Sequence, residues 1–204
     1  MNTTIEIAKK IEDNAQSIID DLSYESIDVY KFLKNEFLRG SITRNYLFQF
    51  VFRSFYRLDN AGLTNEFKIA YFELLEHYRN QSNIDIEEVL VKLYIKKNLK
   101  GHPTIQFSFV TKLLNTIDDS IPIYDSHIAR LFHMSRPSYK DIAQSIDKYI
   151  DYLETIQTTY NEIIQDDLLP RTIALFDDKF ENNNLSIIKK IDFIFWSTGK
   201  QNTL

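Results

Sequence analysis

The residues able to do chemistry crowd into one stretch of the chain. It reads Ile105-Gln106-Phe107-Ser108-Phe109-Val110-Thr111-Lys112-Leu113-Leu114-Asn115-Thr116, then a turn, then Ile121-Pro122-Ile123-Tyr124-Asp125-Ser126-His127-Ile128-Ala129-Arg130-Leu131. A helix, an extended apolar segment around Pro122 and a second helix opened by Asp125 or Ser126 is the plan this spacing predicts. Such a plan holds the Asp125 carboxylate at a helix N-terminus, where the dipole and the free N–H groups favour an anion, so the carboxylate is expected to be fixed and ionised. Asp125 reads equally well as a plain N-cap. Ser108 and Lys112 stand four apart and therefore share one helix face. Lys112 is either a solvated surface lysine or an amine turned to use.

Other chemistries find no support. His102, His127 and His133 lack the spacing of a metal site, and His77 lies apart from them, so no metal is expected. P-loop, dinucleotide-binding and nucleophile-elbow patterns are missing, no small-molecule cofactor is implied, and Asp118-Asp119 reads as a turn.

The elements that must position these residues are helices. Apolar residues recur every three or four positions, starting with Ile5, Ala8, Ile11, Ala15, Ile18, Ile19 and Leu22, and only 4 Gly and 4 Pro interrupt 204 residues. Ser26, Ser41, Thr64, Asp85, Ser138 and Ser186 stand where N-caps belong, Gly40, Gly101 and Gly199 where helices stop, and Pro170 at a first helical position. About ten helices are predicted, over 4–22, 26–39, 42–57, 64–79, 85–99, 105–117, 126–132, 138–165, 169–180 and 186–198: an all-α fold. Helix 42–57, apolar on several sides, is expected to be central and largely buried. The chain is expected to form a single domain of two lobes, roughly 26–104 and 105–204 with the N-terminal helix.

Composition sets the outer bounds. Hydrophobic residues make up 44% of the chain and include 15 Phe and 12 Tyr, enough for a large aromatic core. Zero Cys excludes disulfides and thiol chemistry. The N-terminus lacks the pattern of a signal peptide, and no apolar run is long enough to span a membrane, so a cytoplasmic location is expected. The formal net charge is −5, yet the basic charge is segregated. Between Lys31 and Arg57 six cations face Glu36 alone, and between Val91 and Lys112 five lysines face no acid. Such runs read either as solvated helix faces or as contacts for an anionic partner.

Asp125-Ser126-His127-Ile128-Ala129-Arg130-Leu131, after its apolar-Pro-apolar lead, resembles the Asp-Thr/Ser-His-Val/Ile-x-Arg-Val/Leu signature of helix-hairpin-helix base-excision DNA glycosylases. The block from Ser108 to Leu131 is similar to small bacterial proteins related to 8-oxoguanine DNA glycosylase. The stretch from Ile188 to Trp196 followed by Gly199 looks like their terminal helix. The resemblance covers the central block and hardly touches the N-terminal half.

It implies a two-lobed helical fold that binds DNA, cleaves an N-glycosidic bond with Asp125 as the catalytic carboxylate, and bears on substrate through Ser108, His127 and Arg130. In bifunctional members an upstream lysine attacks the deoxyribose as a free amine; Lys112 is the candidate, although Ser108 falls nearer that place and the Lys-to-Asp spacing is short. Leu99-Lys100-Gly101-His102-Pro103-Thr104 stands where the family's DNA-gripping hairpin lies, with one glycine where two are usual. DNA contacts are thus expected at Lys96, Lys97, Lys100, Gly101 and His102. The alternative is a helical module that binds nucleic acid or a protein partner without catalysis.

Overall fold

The computed structural model describes residues 3–201, which form eleven α-helices, one short 3-10 turn and no strands. The expected N-terminal helix is two: α1 (Thr3–Asp13) and α2 (Ala15–Asp21). They part at Asn14, whose side-chain amide donates back to the Lys10 carbonyl at 2.8 Å, a local bond that competes with helix continuation. Next come α3 (Tyr24–Arg39) and α4 (Tyr46–Phe55). Asn45, rather than the expected Ser41, starts α4 by accepting from the Phe48 N–H at 3.0 Å.

After a 3-10 turn (Leu58–Asn60), Thr64 caps α5 (Asn65–His77) and Asp85 caps α6 (Ile86–Tyr94), both as expected. The chain continues with α7 (Phe107–Ile117) and α8 (Ser126–Leu131). The 24-residue α9 (Ile142–Gln165) is capped by Asp141 rather than Ser138. Pro170 opens α10 (Pro170–Lys179), and Ser186 caps α11 (Ile187–Lys200). Gly199 lies inside α11 and does not end it. Gly101 does take the left-handed conformation (φ 80°), but in the loop after α6, which stops at Tyr94. No helix among the described residues is long and apolar enough to cross a membrane.

The chain divides into two compact units. One comprises the chain up to Ile27 and from Asp119 onward; the other is Asp28–Asp118. The second boundary falls after α7 rather than before it, because α7 packs on α5 and α6: the buried Tyr71 hydroxyl of α5 donates to the Phe109 carbonyl of α7 at 2.9 Å.

In the first unit α10 lies against α2, and α11 against α8 and α2, over a core that includes Ile18, Ile19, Phe176 and Phe195. Polar ties fix this packing. Glu12 accepts from both the N–H and the hydroxyl of Thr172, at 2.9 and 2.7 Å. The Lys179 ammonium donates to the carbonyls of Ile19, Asp20 and Leu22, satisfying the orphan C-terminal carbonyls of α2.

The second unit has an aromatic core. Phe52 of α4 meets Phe48, Tyr71 and Phe72 with ring centroids 5.6 to 5.7 Å apart. The expectation of a largely buried α4 fails here, because that core takes only one face of the helix. Tyr46, Leu47 and Phe50 remain on the surface, 77%, 61% and 60% exposed.

Candidate active site around Asp125

Asp125 is the N-cap of α8, and the capping uses one oxygen. Its Oδ1 accepts from the backbone N–H of His127 at 2.8 Å and of Ile128 at 3.1 Å. Oδ2 takes no hydrogen bond from any described residue, and the side chain is half-buried. One oxygen thus anchors the carboxylate to the positive end of the helix.

The extended segment that delivers Asp125 is tied down from behind. Pro122, Ile123 and Tyr124 are buried, and the Ile123 N–H donates to Asp192 Oδ1 of α11 at 3.3 Å. The same oxygen accepts from the buried Tyr160 hydroxyl at 3.3 Å. The other Asp192 oxygen holds the Lys189 ammonium at 2.6 Å, and both side chains are more than nine-tenths buried. Burial, the negative charge of Asp192 and the more distant charge of Asp125 hold the Tyr160 phenol well above the usual tyrosine range.

A second tie joins α8 to α11 directly. Gly199 has no side chain, and α11 passes so close to α8 that a Cβ there would fall on the His127 carbonyl. Arg130 donates from Nη1 to the Gly199 carbonyl at 2.7 Å. The guanidinium expected to bear on substrate is therefore spent at least partly on holding two helices together. The His127 ring stands edge-on to Trp196 at 5.5 Å, and its buried Nδ1 has no hydrogen-bond partner among the described residues.

Aromatic rings pack on Tyr124, the residue before Asp125. Tyr124, next to Asp125, lies against Tyr149 at 5.7 Å and parallel to Tyr152 at 6.2 Å. Burial, the neighbouring Tyr149 and Tyr152 phenols and the Asp125 charge push the Tyr124 phenol up to about 12. Burial also raises Tyr149, opposed by the Arg136 guanidinium that hydrogen-bonds it.

Ser108 and Lys112 belong to the other unit. On α7 the Lys112 ammonium contacts Ser108 Oγ at 3.1 Å and lies over the rings of Phe109 and Tyr56 at 5.1 and 5.7 Å. The residue is only 9% exposed, so the amine sits in an aromatic, largely dry setting rather than in bulk water.

The loop between α6 and α7 carries the expected DNA contacts. Its backbone is already satisfied internally: Asn98 Oδ1 accepts from the N–H of Lys100 at 2.9 Å and of His102 at 3.1 Å. The Leu99 N–H goes to the Gly62 carbonyl and that of Gly101 to the Asn98 carbonyl. Lys96 is paired with Glu66 at 2.8 Å. What the loop offers an anion is therefore the exposed side chains of Lys97 and Lys100 rather than a row of N–H groups.

The reading of the sequence missed Lys189, Asp192 and the contact made by Gly199. A signal for the first two existed: a cation and an acid three apart in the run from Ile187 to Trp196, which is apolar apart from them and Lys190, mark a buried pair. Against known proteins, the chain matches no family model, and no curated protein or solved structure shows significant similarity to it.

Proposed function

We propose that this protein is DNA glycosylase-like: it takes a modified base out of the DNA stack and cleaves its N-glycosidic bond, with Asp125 as the catalytic carboxylate. The observation that carries the reading is the divided use of Asp125, with Oδ1 held by two backbone N–H groups and Oδ2 in no hydrogen bond with a described residue. Departure of a base leaves positive charge on the sugar, and a rigid carboxylate oxygen stabilises that charge without first reorganising. The same oxygen can take a proton from an attacking water. An extruded base needs apolar faces, and Tyr124, which precedes Asp125, belongs to an aromatic cluster with Tyr149 and Tyr152. The basic unit supplies attraction for phosphates, with 13 Lys and Arg against 10 Asp and Glu over 28–118. A cytoplasmic setting goes with this reading and suits a chain without cysteine.

Lyase chemistry rests on Lys112, the largely buried amine that contacts Ser108 on α7. Duplexes bearing single damaged bases, incubated with the protein and treated with alkali, test excision; the Asp125→Asn variant keeps an N-cap and is expected to lose it. Excision undiminished in that variant overturns the assignment. Borohydride trapping on abasic duplexes tests Lys112 separately, and an adduct that survives in Lys112→Met removes the lysine from the mechanism.

The self-satisfied loop backbone at 98–102 favours a second reading, a helical module that binds nucleic acid or a protein partner without catalysis. Steeply salt-dependent DNA binding without excision of any tested base supports that version.

A further inference from the structure

The solvent face of α4 in the Asp28–Asp118 unit has no role in the base-excision reading. Tyr46 and Phe50 are four apart and therefore lie one above the other on that face, with Leu47 beside them. All three are more than half exposed, an unusual cost for large apolar side chains on one ten-residue helix. The opposite face, carrying Phe48 and Phe52, is locked into the aromatic core, so the exposed rings stand on a rigid support.

Charge tells what would cover them. Both neighbouring acids are consumed: Glu36 accepts from Arg39 and Asn45, each at 2.9 Å, and Asp59 from Arg53 at 3.1 Å and Lys68 at 2.6 Å. Arg44, just before the helix, and Arg57, just after it, are exposed and make no ion pair with a described residue. Along the chain the order is therefore cation, ring, ring, cation, with both rings on a helix about 15 Å long.

We propose that this face of α4 binds a single nucleic-acid strand, with bases stacked on Tyr46 and Phe50 and phosphates paired with Arg44 and Arg57. Exposed rings interleaved with unpaired cations are the arrangement that holds single strands regardless of sequence. Three apolar side chains are too small a patch for a stable protein interface, which takes about 800 Å² from each partner. The proposal is independent of whether Asp125 excises a base.

Fluorescence anisotropy of the full chain with a labelled oligothymidylate of about 12 nucleotides tests it, a length within the range one such site covers. Binding is expected at low salt and should weaken as salt rises. Tyr46→Ala with Phe50→Ala should lower the affinity by about tenfold or more, and Tyr46→Phe with Phe50→Tyr should restore it, since each keeps a ring. Arg44→Gln with Arg57→Gln should weaken binding and flatten its salt dependence. Asp125→Asn should leave binding unchanged, which separates this surface from the excision site. Absence of binding at low salt, or equal affinity in the double alanine variant, overturns the proposal. So does an acidic amphipathic helical peptide that binds this face more tightly than the oligonucleotide.

Discussion

Gly199 of α11 and His127 of α8 meet backbone to backbone: a methyl group on Gly199 would lie 2.6 Å from the His127 carbonyl carbon and closer still to its oxygen. Two effects of Gly199→Ala therefore oppose each other. In a free helix the change stabilises by up to about 1 kcal/mol. Here the added atom meets main chain rather than a flexible side chain, and overpacking of that kind costs typically about 1–3 kcal/mol. The clash is expected to win, lowering the urea midpoint without a large change in its slope. A variant as stable as the parent would mean that α8 and α11 separate freely.

Removing the Asp125 cap tests structure apart from function. Asp125→Ala leaves two N–H groups of a six-residue helix without their acceptor and should cost about 1 kcal/mol. Asp125→Asn supplies an equivalent acceptor and should stay within about 0.5 kcal/mol of the parent. Chemical denaturation of the three proteins side by side gives the comparison. Equal stability of all three would show that α8 is held by α11 alone.

Lys189 and Asp192 form the buried pair that orients the approach to Asp125. Taking away the acid in Asp192→Ala removes the carboxylate facing the buried Lys189 ammonium and frees the Ile123 N–H and Tyr160 hydroxyl, an expected loss of about 3–5 kcal/mol. Lys189→Met with Asp192→Asn removes both charges yet keeps an acceptor for those two donors. It should recover most of the loss, because the net worth of a buried pair is far smaller than the cost of breaking it. A double variant no more stable than Asp192→Ala would contradict this account.

How much was legible beforehand follows from the range of the interactions. Caps that act within three residues were readable where the right residue type stood alone, as at Thr64, Asp85 and Ser186. They were misread where two candidates competed, as with Ser41 and Asn45 or Ser138 and Asp141. The break at Asn14 was invisible because the apolar period runs through it unchanged. Exposure of Tyr46, Leu47 and Phe50 was not predictable from an apolar count, since which face α4 presents is set by tertiary packing of Phe48 and Phe52 on α5. The sequence marked Asp125 in one unit and the Ser108–Lys112 pair in the other. It could not reveal that Asp192 reaches Ile123, because that contact spans 69 residues.

Alkaline pH offers a probe of the tyrosine cluster beside Asp125. The Tyr124 phenol is raised from 10.0 to about 12 in the folded chain, chiefly by burial. A group with a raised folded value contributes stability that is fully present below its unfolded value and is lost as pH climbs through the folded one. The contribution of Tyr124 should therefore be intact below about pH 10 and fade between pH 10 and about 12. The fully buried Tyr71 and Tyr160, also raised, add to the same loss. Tyr124→Phe removes one titrating hydroxyl, so its urea midpoint should decline less steeply across that window than the parent's. An identical decline in the two proteins would show that Tyr124 does not feel the burial and neighbouring charge assigned to it.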